Sequence, residues 1–110
     1  MKQALLADMV RGWFVGDFSP AALKTDACEV AIQRFKAGDI ENLHHHKVAH
    51  EITVILSGRA VMFGKTLSDG DIVVIEPGEA TSFEALTDVT TVVVKLPSVL
   101  GDKYEGAAAT

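Results

Sequence analysis

Residues 38–58, GDIENLHHHKVAHEITVILSG, decide how this chain folds. They hold all four of its histidines, His44, His45, His46 and His50, followed at once by Glu51 and a nearly continuous apolar run to Leu56. Successive side chains of an extended segment point to opposite faces, which puts His44 and His46 on one face and His45 on the other. A reversal through residues 47–50 brings the Glu51 carboxylate back beside that pair. Two neutral imidazoles and one carboxylate suit a divalent ion such as Zn, Fe, Mn, Co or Ni, which take nitrogen and oxygen donors. The same residues also fit a plainer alternative, a solvated polar loop joining two strands. His50 is a rival ligand, but on a regular strand it faces away from Glu51, and a bulge is needed for both to contribute.

Outward from this stretch, the rest of the chain alternates short strands with turns. Residues 2–9 make a short helix or an arm. Residues 11–18 crowd Trp13, Phe14 and Phe18 between glycines and read as a strand, broken by Ser19-Pro20. Residues 29–35 form a strand with Val30, Ile32 and Arg34 on one face, and Lys36 to Asp39 turn the chain. The run from Ile52 to Leu56 is expected to be a strand covered on both sides. Residues 71–75 form a strand stopped by Glu76-Pro77-Gly78, since proline donates no ladder bond and glycine permits positive φ. On residues 80–85, Thr81, Phe83 and Ala85 share a face. Residues 89–96 are almost wholly β-branched, and the tail after Pro97 loses hydrophobicity. About eight strands separated by Gly, Pro and Asp turns predict an all-β sandwich or barrel.

The spacing around the histidines resembles that of the cupin superfamily. The first cupin motif runs Gly, five residues, His-x-His, three or four residues, Glu, six residues, Gly; here it is met by Gly38, His44, His46, Glu51 and Gly58. The second runs Gly, five residues, Pro-x-Gly, two residues, His, three residues, Asn. From Gly70 it is met at Gly78 but carries Glu76, Thr81 and Ala85 where the family has Pro, His and Asn. The resemblance implies a small single-domain cupin: a double-stranded jelly-roll barrel over residues 29–97, with an N-terminal strand or arm (1–28) packing on the barrel or a partner and a C-terminal tail (98–110). It further implies one divalent metal ion held by His44, His46 and Glu51, with Thr81 and Phe83 lining the pocket. Thr81 stands where the family's fourth ligand would be, and a hydroxyl is a poor ligand for a divalent ion at neutral pH, so a coordination position is open there.

Composition bounds the function. A chain of 110 residues is one domain, and its apolar and charged fractions are those of an ordinary globular protein. A net charge of −5 with scattered lysines and arginines argues against nucleic acid. Cys28 is alone, which suits a reducing compartment. The segment MKQALLADMV lacks the apolar core of an export signal, and no run reaches the roughly 20 apolar residues of a membrane helix, so no membrane association and a cytoplasmic location are expected. The cupin resemblance implies three candidate functions: a metal-dependent protein acting on a small polar, sugar-like molecule; a metal-independent sugar or sugar-nucleotide isomerase with a pocket histidine as base; and a non-catalytic ligand-binding or sensing module. The N-terminal aromatics and the barrel edge lead to the expectation of a homodimer.

Overall fold

The computed structural model describes residues 1–108. A single 3-10 turn (Leu6–Asp8) precedes eleven strands: β1 (Trp13–Gly16), β2 (Leu23–Lys24), β3 (Glu29–Phe35), β4 (Ile40–His45), β5 (His50–Ser57), β6 (Ala60–Met62), β7 (Lys65–Leu67), β8 (Ile72–Ile75), β9 (Ala80–Ala85), β10 (Val89–Leu96) and β11 (Tyr104–Glu105). They form a six-stranded sheet of order β2-β1-β3-β10-β5-β8 and a five-stranded sheet of order β11-β4-β9-β6-β7. This is the expected all-β jelly roll, with three more short strands than the sequence suggested. The segment after Ser19-Pro20 contains β2, which runs parallel to β1. The tail is tied down through β11, which pairs with β4; residues 109 and 110 lie outside the described residues.

The turns follow from local chemistry. Gly58, the last glycine of the first motif, has φ +96°, and a Cβ there would lie 2.1 Å from the Asp88 carbonyl oxygen, so the position admits no side chain. Phe63 and Gly64 both take positive φ in the two-residue link between β6 and β7, the backbone of a tight hairpin.

Alternation along the strands separates an interior from an exterior, and the interior changes character along its length. On β5 the inward positions run Ile55, Thr53, Glu51; on β9 they run Ala85, Phe83, Thr81; on β10 they run Val89, Thr91, Val93, Lys95. The apolar ends meet in a core of Ile55, Ala60, Met62, Ile75, Phe83, Ala85 and Val89. Phe35 packs on it, with its ring centroid 4.5 Å from that of Phe83. The polar ends surround a cavity at the opposite end of the barrel.

The exterior of the six-stranded sheet departs from expectation. Residues 52–56 are not covered on both sides: Leu56 is 50% exposed, and Ile52 and Val54 are partly exposed. Two cross-strand rows of aliphatic side chains run over this outer face, Ile32–Val92–Val54–Ile72 and Val30–Val94–Ile52–Val74.

Candidate functional site

Four elements carry the site: the end of β4, the bend at residues 46–49, the start of β5 and the inward column of β10. His44 stands opposite Thr81 in the β4–β9 ladder, and a register shift between Glu41 and His44 puts Glu41, opposite Phe83, on the same face. Beyond β4, His46 continues the alternation, and its ring meets that of His44 edge-on at 5.5 Å between centroids. The bend is fixed from the far end of the chain. The buried Asp102 carboxylate accepts backbone N–H bonds from Lys47 (2.8 Å), Val48 (3.2 Å) and Ala49 (2.9 Å). Burial pushes its carboxyl up, but those three bonds outweigh burial and leave it below the ordinary value. Gly78 donates to the His46 carbonyl at 2.7 Å, tying the second motif to the first.

A cavity of about 930 Å³ is lined by His44, Glu51, Thr53, Thr81, Phe83 and Lys95 among others. His46 lines a smaller neighbouring cavity of about 140 Å³, and Glu29, Lys95 and Lys103 border both. Lys95 is the residue the sequence did not suggest. It stands opposite Glu29 on β3 and Glu51 on β5, and its ammonium lies 4.9 Å from the centre of the Trp13 ring.

The polar groups are set by burial. Glu51 is held above its ordinary value by desolvation, partly offset by the nearby Lys95 and reinforced by Glu41; Thr53 Oγ1 donates to it at 3.4 Å. His46, 3% exposed, is pushed down to about 4 by burial and then by Lys95 and His44, against the pull of Asp102. It is neutral at pH 7, and its Nε2 finds no hydrogen-bond partner among the described residues. His44 Nδ1 donates to the Asn42 carbonyl at 2.9 Å, which leaves Nε2 as the lone-pair nitrogen. Thr81 is buried and its hydroxyl donates to the Ser82 carbonyl at 3.0 Å, so its oxygen retains acceptor capacity.

The other two histidines lie elsewhere. His45 points out of the barrel, as alternation requires, but it is buried rather than solvated: Nδ1 donates to the Gly106 carbonyl at 2.8 Å and the ring stacks on Tyr104. His50 faces outward and pairs with Glu76 at 2.7 Å on the surface. His44, His46 and Glu51 are thus neighbours around one bend, but among the described residues no group of three His, Cys, Asp or Glu side chains meets at one point closely enough to hold a metal ion. The donor set itself fits one: the lone-pair Nε2 of His44, the buried and unpartnered Nε2 of His46, and a buried carboxylate.

No family model matches the chain and no curated protein matches it. Solved structures do. An uncharacterized conserved protein with a double-stranded β-helix domain from Klebsiella pneumoniae superposes with TM-score 0.70 at 22% identity, over 78% of this chain and 75% of that one. A cupin superfamily protein from Desulfitobacterium hafniense gives 0.64 at 14%, over 68% and 72%. A sugar phosphate isomerase from a cupin superfamily, from Silicibacter pomeroyi, gives 0.60 at 21%, over 66% and 52%.

Proposed function

Because this chain is a cupin by fold, we propose that it binds one divalent metal ion through His44, His46 and Glu51 and holds a small polar, sugar-like molecule in the barrel beside Thr81. The observation that carries this reading is the buried Nε2 of His46, a ring nitrogen with no partner, next to a ring whose own Nε2 is free to ligate. An unpaired buried polar atom costs about 1–3 kcal/mol, and a cation at that position removes the cost. The bound ion would supply Lewis-acid polarisation of a ligand oxygen. The chain's own residues do the rest. Phe83 closes the floor of the cavity, Thr81 offers an acceptor at the open position, and Glu51 and Lys95 present opposite charges to a ligand's hydroxyl and carbonyl groups. A cavity of about 930 Å³ holds a molecule of monosaccharide size with room for water. The sugar phosphate isomerase among the similar structures supports a sugar-like ligand.

Lys95 favours a second reading, a metal-independent isomerase-like site. Its ammonium already supplies positive charge beside Glu51 and His46, as a metal would, and His44 rather than the strongly depressed His46 would be the base.

Elemental analysis of protein purified without a nickel column decides between them. The metal reading expects about one divalent ion per chain, lost in His46→Ala. Full metal content in that variant overturns the ligand assignment. Turnover of a sugar substrate that persists in chelator selects the second reading, and ligand binding without turnover selects a sensing module.

A further inference from the structure

We propose that Lys95 and Lys103 form an anion subsite between the two cavities, and that the molecule held in the barrel carries a phosphate group that binds there. This rests on the reading that the barrel holds a small polar molecule, and not on the metal. Lys95 ends the inward column of β10, and Lys103 follows directly on Asp102, whose three backbone bonds fix that part of the chain against the bend. Both lysines border the large cavity and the small one. No carboxylate stands within ion-pairing distance of either ammonium; among the described residues the one side-chain ion pair is His50–Glu76. The Trp13 ring steadies the Lys95 ammonium at 4.9 Å from its centre without neutralising it. The two carboxylates on the small cavity are otherwise engaged, Asp102 by the bend and Glu29 by the Ser98 hydroxyl, which donates to it at 2.8 Å. His46, 3% exposed, lines the same cavity, and its Nε2 has no partner among the described residues.

A phosphate fits this subsite better than a carboxylate or a neutral group. The chain carries a net charge of −5, so an anion is drawn in only where uncancelled cations face a cavity. A planar carboxylate is best met by the fork of an arginine. Two lysines instead supply separate point charges, suited to a tetrahedral group with three acceptor oxygens and nearly two negative charges. Such a group occupies roughly two to three water volumes of about 30 Å³ each, and the small cavity offers about 140 Å³. The unpartnered His46 Nε2 adds a third positive contact, as an N–H donor or through a bound cation. Charge then places the remainder of the ligand. Glu41 and Glu51 line the large cavity and not the small one, so they repel the phosphate from that end and exchange hydrogen bonds with hydroxyl groups there. Thr53 and Thr81 add hydroxyls to the same cavity. A ligand with one phosphate end and one polyhydroxyl end, a phosphorylated polyol or monosaccharide, matches both halves.

The test is calorimetric titration of the full chain, treated with chelator so that a failure of the metal reading leaves it untouched, at pH 7 and fixed ionic strength. Inorganic phosphate is expected to bind, and more tightly than acetate. Glucose 6-phosphate and glycerol 3-phosphate, set against inorganic phosphate and glucose, separate the sources of the group. An ester that binds more tightly than either the free ion or the free sugar supports the phosphorylated ligand; if neither ester does, the free ion is the ligand and the polyhydroxyl half is overturned. Lys95→Met is expected to weaken inorganic phosphate about tenfold, and Lys103→Met, at a more exposed position, about threefold. Lys95→Arg, which keeps the charge, is expected to retain most of the affinity, so that a loss through misfolding is told apart from a loss of charge. Lys65→Met, which lines neither cavity, is expected to change nothing. The fluorescence of Trp13, the chain's one tryptophan, is expected to shift on binding because its ring lies against Lys95. No binding of phosphate at millimolar concentration overturns the proposal. So does an affinity unchanged in both methionine variants at positions 95 and 103, or acetate bound as tightly as phosphate.

Discussion

Lys95 lines the same cavity as the donors that a divalent cation would use, so its charge would oppose a metal held there. Two charges a few ångströms apart at the effective dielectric of a partly solvated interior repel by about 1–4 kcal/mol. Lys95→Met, which keeps the length of the side chain, is therefore expected to bind Zn or Mn about tenfold tighter by calorimetric titration; an unchanged or weaker affinity places the ammonium away from the ion. His46 and Glu51 bias the metal-free chain in opposite directions with pH. His46 is held at about 4 in the fold against 6.5 ordinarily, so between those values the unfolded chain takes up a proton that the fold refuses. Its contribution to stability is present above pH 6.5 and is lost as pH falls toward 4. Glu51 is raised above 4.5, so its contribution is present below 4.5 and is lost as pH rises through its folded value. Two consequences can be measured by denaturation of chelator-treated protein. Glu51→Gln is expected to be more stable than the unsubstituted chain at pH 7, because no buried carboxylate has to ionise. The stability advantage of the unsubstituted chain over His46→Gln is expected to shrink from pH 7 to pH 5; an advantage independent of pH contradicts the burial of His46.

The bend between β4 and β5 depends on a strand that joins it from the other end of the chain. Asp102 gathers three backbone N–H groups of residues 47–49, Gly106 accepts from His45 and donates to Leu43, and Tyr104 stacks on His45 with the Lys47 ammonium 4.1 Å from its ring centre. Asp102→Ala leaves three buried or half-buried donors without an acceptor and is expected to cost about 2–4 kcal/mol of stability, with metal affinity falling alongside. Asp102→Asn, which keeps one acceptor oxygen, is expected to restore part of both; equal losses in the two variants contradict the clamp. These contacts explain what was legible in the sequence. Alternation placed His44 and His46 together and His45 opposite, and the motif spacing returned Glu51 to their side, because each is a property of a few consecutive residues. The register shift at residues 41–44 was not legible, since a bulge leaves little mark in composition and the segment contains no glycine. Neither Lys95 nor Asp102 could be found, because one reaches the site through pairing with β3 and β5 and the other through hydrogen bonds spanning more than fifty residues. The apolar run at 52–56 was expected to be covered on both sides, but only the inward residues Thr53 and Ile55 are buried and the outer face is left partly exposed.

At the scale of the whole molecule, the barrel has one apolar end, one polar end and one apolar outer wall. A metal that binds the fold and not the unfolded chain adds about 2.7 kcal/mol at a hundred times its dissociation constant, whatever the protein concentration. Calorimetric melting with and without added Zn therefore tests the proposed site directly. The unsubstituted chain is expected to melt higher with metal. Val54→Lys is expected to keep that response, because residue 54 faces outward and Glu51 and Thr53 face the cavity on the same strand. His46→Ala is expected to lose it. If Val54→Lys abolished the response, the two faces of β5 would be coupled.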